Sequence, residues 1–186
     1  VEGLSEDRDS WSERLKSLYQ RGLRSIGLVI SDKAGGLLEV LPRYYPKAKW
    51  QRCVFHFHKN ILHKVPRQKR AEVIAMLKAI HTQEDAESSV EKARAVVQKL
   101  RALRMGSAAK ILEDEILESV TYHKFPREHH RSIRTNNLLE RIMKEIRRRT
   151  RVVGSFPDGK SALMLACARL RYIASKSWSD ERRYMD

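Results

Sequence analysis

The sequence predicts an α/β fold that is mostly helical, and three observations support this prediction. Two short apolar stretches rich in strand-forming residues, 26–30 and 48–54, alternate with helical patterns in the first third of the chain. Beyond them the periodicity is helical throughout. The 186 residues are 41% hydrophobic and 33% charged, which is enough apolar material to form a core.

The first third should form a helix, a strand, a helix and a strand, in that order. Apolar residues at helical spacing predict the first helix over residues 8–20. A buried strand follows at 26–30, and a second strand at 48–54. The helix between the two strands should be limited by Pro42 and Pro46.

The chain divides into three predicted regions. Residues 1–57 form the α/β part, and 58–128 form an all-helical insertion of three or four amphipathic helices. Residues 129–186 hold the last helices, of which the final one is expected over 161–178.

Charge restricts the class of partner. Lys and Arg number 38 against 23 Asp and Glu, a net charge of +15 that favours a polyanion such as nucleic acid. A membrane surface is the weaker alternative, because the most basic helix lacks aromatic residues on its apolar face. No apolar run approaches the roughly 18 to 20 residues needed to span a bilayer. Two cysteines and no secretory leader predict a cytoplasmic protein.

Asp32 is the first candidate for chemistry. It follows a predicted buried strand, and ligands gather at the carboxyl ends of strands in open α/β sheets. A carboxylate at this position can bind Mg²⁺, which prefers oxygen ligands. The alternative is that Ser31 or Asp32 caps the next helix.

Glu140 is the second candidate. Asn137 and Glu140 have the spacing of a capping box that opens a helix, and Glu140 and Lys144 can form a simple i,i+4 pair. On a helical projection, however, Glu140 lies at one end of a cationic stripe formed with Lys144, Arg147 and Arg151. A metal-binding carboxylate beside phosphate-binding cations is typical of a nuclease-like site.

Arg147, Arg148, Arg149 and Arg151 form the densest basic run. Four arginines in five residues repel one another unless an anion is bound, which favours contact with a nucleic acid backbone. A solvated helix face is the alternative interpretation.

Cys53 and His56 have the spacing of half a zinc site. Tetrahedral zinc needs four ligands, and no second Cys/His pair has this spacing, so zinc is not expected. A packing or hydrogen-bonding role near the strand end is the favoured interpretation. A Cys/His nucleophile would also need an orienting group that the sequence does not indicate.

These motifs, in their order and spacing, resemble the catalytic region of bacterial Mutator-type transposases over nearly the whole chain. The segments that carry the resemblance are Ile30-Ser31-Asp32, Trp50-Gln51-Arg52-Cys53-x-x-His56, Ile133-Arg134-Thr135-x-Asn137-x-x-Glu140 and Arg147-Arg148-Arg149-Thr150.

The resemblance implies a partial RNase H-like core with an Asp-Asp-Glu metal triad. Asp32 matches the second acid and Glu140 the third, and the helical insertion lies between them. Mg²⁺ or Mn²⁺ would be the cofactor in strand cleavage at element ends and in the attack of the freed 3′-hydroxyl on target DNA. DNA contacts are expected from the basic residues Arg134, Lys144, Arg147, Arg148, Arg149 and Arg151. The full-length protein would be nucleoid-associated and a homo-oligomer.

One expectation concerns activity. The family's first catalytic Asp lies on a strand that precedes the segment matching the start of this chain, so we expect a truncated transposase that lacks this acid. The chain alone should then be inactive, since two acids do not hold both metal ions. The alternative is a catalytically dead, DNA-binding transposase remnant.

Overall fold

The computed structural model describes residues 7–175, and its contacts divide the chain into two units, Val1–Thr135 and Asn136–Asp186. The first unit contains α1 (Arg8–Gln20), β1 (Leu28–Ser31), α2 (Gly35–Tyr44), β2 (Lys49–Arg52), α3 (Val54–Leu62), α4 (Arg70–Ile80), α5 (Ala86–Ala102), α6 (Gly106–Ser119) and α7 (His130–Ile133). The second contains α8 (Asn137–Val153) and α9 (Gly159–Ala174). None of the helices described is long and apolar enough to cross a bilayer.

The sheet consists of β1 and β2, which run parallel and pair Leu28 with Lys49 and Ser31 with Arg52. The order helix, strand, helix, strand is confirmed, as is the mostly helical α/β class. Within residues 7–175 the sheet has two strands, and the RNase H-like assignment stays a prediction. The predicted boundaries at residues 57 and 128 also stay predictions.

Helix α2 ends at Tyr44, between Pro42 and Pro46, so the prediction that these two prolines limit the helix is confirmed. Pro42 lies in the last turn, where a proline removes one terminal hydrogen bond without interrupting a long helix. The N–H of Tyr45 bonds to the carbonyl of Leu41 at 2.9 Å and closes the helix.

Gly36 of α2 packs closely against the backbone at the start of α1. A Cβ placed on Gly36 would lie 2.8 Å from the backbone nitrogen of Arg8 and 2.8 Å from the carbonyl carbon of Asp7. No side chain fits at this distance, so the contact between the two helices requires glycine.

The first unit has two main apolar clusters. One joins α1 and α2 to the sheet, and the other fills the space among α3, α4, α5 and α6. The fully buried side chains of the second cluster include Phe57, Ile61, Leu77, Leu100 and Leu112. These helices therefore form a core of their own after β2.

Within residues 136–175, the second unit is a pair of helices joined by a short loop. The N-cap of α8 is Asn136, and its side chain makes no capping bond. A capping box of Asn137 and Glu140 would require Asn137 to be the N-cap, but Asn137 is the first residue of the helix. The predicted capping box is therefore wrong. Asp158 caps α9 by accepting from the N–H of Ser161 at 2.7 Å. The predicted end of the last helix, 176–178, lies outside the described residues.

Candidate functional site

Asp32 lies immediately after β1, at the carboxyl edge of the parallel pair. Its Oδ1 accepts from the N–H of Lys33 at 2.8 Å, and its side chain is 47% exposed. The N-cap of α2 is Ala34, which makes no side-chain cap bond. The alternative that Ser31 or Asp32 caps this helix is therefore wrong, and the Asp32 carboxylate is half-exposed to solvent.

The backbone around Asp32 is held by the sheet. The indole Nε1 of Trp50, on β2, donates to Ser31 Oγ at 2.9 Å, and Ser31 Oγ donates to the carbonyl of Asp32 at 2.7 Å. The N–H of Ala34 donates to the same carbonyl at 2.7 Å. Three contacts thus fix the position of this turn.

The Cys53-x-x-His56 motif lies against the same edge. Cys53 is the buried N-cap of α3, and its N–H donates to the carbonyl of Ser31 at 2.8 Å. One turn later, His56 Nδ1 lies 3.2 Å from Asp32 Oδ2. The motif therefore ties α3 to the end of β1 and brings an imidazole into contact with the candidate metal ligand.

Among residues 7–175, no group of three or more His, Cys, Asp or Glu side chains is arranged to hold a metal ion. Asp32 offers a half-exposed carboxylate, which is a suitable ligand for Mg²⁺ or Mn²⁺ but an incomplete set by itself.

A charge cluster next to this edge was not predicted from the sequence. Arg52, at the end of β2, is 2% exposed and donates to Glu115 and, at 3.2 Å, to Glu118, both on α6. Lys33 donates to the same two carboxylates at 3.2 and 2.7 Å. Burial opposes ionisation of Glu115, but the hydrogen bonds from Arg52 and Lys33 outweigh it, so its pKa lies below the ordinary value.

Gln51 makes a second link between β2 and the region after α6. Its side chain is fully buried, and its amide nitrogen donates to the carbonyls of Arg52 and Ser119 at 2.6 and 2.8 Å. Its amide oxygen accepts from the N–H of Tyr122 at 2.8 Å. Because every polar atom of this side chain is bonded, Gln51 fixes the strand edge relative to α6 without an unpaired buried group.

Arg134 is half-buried at the end of α7. Its Nη1 donates to the carbonyl of His81 at 3.3 Å, and its own carbonyl accepts from the N–H of Val54 at 3.0 Å. The contacts described for Arg134 are thus internal to the first unit, and its role in DNA binding stays a prediction.

In the second unit, α8 carries Glu140 and the cationic stripe. Glu140 is exposed, and so are the basic side chains, which are Lys144, Arg147, Arg148, Arg149 and Arg151. Arg148 differs from the others because it donates twice to Glu145 at 2.9 Å. Arg169 of α9 donates to Glu145 at 2.8 Å, and these two hydrogen bonding partners lower the pKa of Glu145 to about 2.

The paired Arg148 corrects one part of the sequence interpretation. The arginine run was expected to need a bound anion to offset its repulsion, but Glu145 already neutralises one of its members. The remaining stripe is still strongly cationic and exposed, which suits contact with a phosphate backbone.

The chain belongs to the Mutator family of transposases, whose family model matches residues 2–179. It is 33% identical over 181 residues to the transposase for insertion sequence element ISRM5 of Rhizobium meliloti, which covers 97% of this chain and 45% of that protein. It is 35% identical over 183 residues to the IS406 transposase of Burkholderia multivorans, covering 98% and 47%. The chain spans less than half the length of these relatives.

Proposed function

We propose that this chain is part of an insertion-sequence transposase that binds DNA and supplies Asp32 and Glu140 to a site for divalent metal ions. The observation that carries the proposal is the family match over residues 2–179, with relatives that are insertion-sequence transposases. The reaction is DNA cleavage and strand transfer by phosphoryl transfer.

The contacts of the first unit support the role of Asp32. A parallel β–α–β arrangement with an acid directly after the first strand is compatible with an RNase H-like core, which we propose as the parent fold. The turn that contains Asp32 is fixed by Trp50 and Ser31, and its carboxylate is contacted by His56. Such fixed geometry is what a metal ligand needs.

The residues of the chain have separate tasks in this proposal. Asp32 and Glu140 hold Mg²⁺ or Mn²⁺, which when bound activates the attacking oxygen and offsets charge on the leaving oxygen. The DNA phosphates are held by the charge of the basic residues, which are Arg134, Lys144, Arg147, Arg148, Arg149 and Arg151. The contact with His56 limits the motion of the Asp32 carboxylate when no metal ion is bound.

The second candidate is a DNA-binding protein without catalytic activity. It is favoured by the exposed cationic stripe, because binding of DNA phosphates by these side chains does not depend on the metal site. In a nicking assay with Mg²⁺ or Mn²⁺ we expect the 186-residue protein to show no turnover. Turnover that Glu140→Gln abolishes would instead show that the chain is an active nuclease by itself.

The proposed site is tested by titrating the protein with Mn²⁺ and following free Mn²⁺ by electron paramagnetic resonance. If Asp32 and Glu140 share an ion, Asp32→Asn and Glu140→Gln should each weaken binding about tenfold or more, and the double variant should lose little beyond either single variant. Asp114→Asn, at an exposed position of α6, is the matched control. Additive losses would contradict a shared ion.

DNA binding is tested by the salt dependence of affinity for duplex DNA. Removing one phosphate contact should reduce the slope of log K against log salt by about 0.9. Arg147→Gln with Arg149→Gln should therefore reduce the slope by nearly two. Arg148→Gln should have a smaller effect, since Glu145 already binds that side chain. An unchanged slope in the double variant would contradict the proposed DNA contact of α8.

A further inference from the structure

A depression with a cavity volume of about 330 Å³ lies at the amino edge of the sheet. Ser25 and Ile26, which precede β1, and Lys47, which precedes β2, are among its lining residues. Because the two strands are parallel, this edge is opposite the edge at which Asp32 lies. The depression is therefore separate from the candidate metal ligand of the first unit.

The charge of this depression is positive. Arg24 and Lys47 line it and are exposed, and no acidic residue lines it in the described part of the chain. The two sequence segments that supply its lining residues, 19–26 and 44–48, contain no Asp or Glu. A concave surface lined by cations attracts and concentrates anions.

Aromatic contacts hold the basic side chain in place. The guanidinium carbon of Arg24 lies 4.3 Å from the centroid of the Tyr19 ring, and Tyr19 contacts Tyr45 edge-on at 6.2 Å. The hydroxyl of Tyr45 donates to the carbonyl of Leu23 at 3.0 Å, which fixes the backbone just before Arg24. Stacking uses the flat face of a guanidinium and leaves its in-plane N–H groups for a phosphate.

Tyr44 and Pro46 give the depression an apolar wall beside these cations. The Tyr44 hydroxyl hydrogen-bonds with Ser12 Oγ at 3.1 Å, so the ring is fixed from the side of α1. A fixed guanidinium, a lysine and an aromatic wall are the combination with which proteins bind a nucleic acid strand without reading its sequence.

We propose that this depression binds the backbone of DNA, with a phosphate between Arg24 and Lys47 and the adjoining sugar against Tyr44 and Pro46. The contact is independent of sequence and separate from the stripe on α8. It goes beyond the proposed function, because it needs neither the metal site nor the cations of the second unit.

The first test measures the affinity of the 186-residue protein for a fluorescein-labelled duplex of arbitrary sequence at several salt concentrations. Arg24→Gln with Lys47→Gln should reduce the slope of log K against log salt by about one to two. The matched control is Lys92→Gln with Lys99→Gln, which makes the same charge change on the exposed face of α5. Equal slopes for the two double variants would overturn the proposal.

The second test uses the unaltered protein, so it does not depend on the folding of a variant. The free protein and its complex with duplex DNA are each treated with an amine-reactive acetylating reagent, and the modified lysines are identified by mass spectrometry. Bound DNA is expected to protect Lys47, which lines the depression. Protection of Lys144 or Lys160 without protection of Lys47 would overturn the proposal.

The two DNA contacts can fail separately. If the Arg24 and Lys47 variant changes the salt slope and the Arg147 and Arg149 variant does not, the depression binds DNA and the proposed role of α8 is wrong. The reverse result overturns the inference made here and leaves the proposed function intact.

Discussion

Arg52 Nη1 lies 3.2 Å from Glu118 Oε2, and this pair joins the end of a strand to a helix 66 residues further along the chain. The same guanidinium binds Glu115, and the side chain of Arg52 is 3% exposed. The turn after β1 takes part through Lys33, which binds both carboxylates. The position of α6 against the sheet edge thus depends on one buried cation and its two acids.

Removing the two acids should destabilise the protein strongly. Glu115→Gln with Glu118→Gln leaves Arg52 buried without a carboxylate, and we expect the free energy of unfolding to fall by about 3 kcal/mol or more. Arg52→Met should lower the free energy of unfolding by less, because Glu115 and Glu118 are partly exposed and still bind Lys33 and water. Arg101→Met, which breaks the exposed pair with Glu113, is the control and should cost less than about 1 kcal/mol. Urea unfolding measures all three, and similar losses for the acid pair and the control would contradict a buried role for Arg52.

Gly36→Ala should destabilise the contact between α1 and α2. The added Cβ meets backbone atoms of Asp7 and Arg8, which do not move aside without separating the helices, so a loss of about 1–3 kcal/mol is expected. Gly35→Ala is the matched control, since nothing lies within 4 Å of a Cβ at that position. Thermal or urea unfolding distinguishes the two variants, and an equal effect at both positions would refute the steric explanation.

The elements that the sequence predicts well are those with a local signal. The β-branched run before Asp32 and the helical spacing in residues 8–20 need no distant partner to be recognised. The stripe on α8 likewise follows from periodicity alone. Local patterns are therefore sufficient to assign Asp32 to the end of a strand and Glu140 to a helix.

The features that sequence reasoning missed depend on distant partners. Gln51 and Arg52 are polar residues at a strand end and would ordinarily be expected at the surface, yet both are buried. Their burial is possible because Gln51 donates to the carbonyl of Ser119 and Arg52 donates to the carboxylate of Glu115. A short Cys-x-x-His spacing also does not reveal that its histidine contacts Asp32. Such pairings depend on tertiary packing, which local propensity does not describe.

Acid should destabilise the protein through His58 and His81. Burial first, and then the positive charge of Arg134 and Lys78, lowers the pKa of His58 to about 4. Burial, with His58, Arg134 and His123 nearby, lowers the pKa of His81 to about 3. Both pKa values of the folded protein lie below the unfolded value of 6.5. At a pH between the folded and unfolded pKa values, the unfolded chain therefore binds more protons than the folded protein. This contribution is complete above pH 6.5 and decreases as the pH falls towards 4 and then 3.

The measurement is the free energy of unfolding in urea at several pH values between about 7 and 4. Each buried histidine should contribute a slope of up to about 1.4 kcal/mol per pH unit. His81→Gln should reduce the slope, whereas His63→Gln, at an exposed position, should leave it unchanged. If His81→Gln retains the full slope, acid sensitivity originates in other groups.

His56 should influence metal binding through Asp32. With a proton on Nδ1, the imidazole donates to Asp32 Oδ2 across 3.2 Å and restricts the rotation of the carboxylate. Removal of such an outer contact typically weakens metal affinity about 10- to 100-fold. We therefore expect His56→Ala to raise the Mn²⁺ concentration needed for half-saturation by about tenfold, as measured by electron paramagnetic resonance.

A conservative variant separates positioning from a general effect on folding. In His56→Asn the amide nitrogen can occupy the place of Nδ1 and donate to the same oxygen, so Mn²⁺ affinity should recover in large part. Phe55→Ala, at an exposed neighbouring site on α3, should leave affinity unchanged. Equal losses for the Ala and Asn variants at position 56 would indicate that His56 supports α3 and does not orient Asp32. In that case the contact between His56 and Asp32 would be a consequence of the fold and not a part of the metal site.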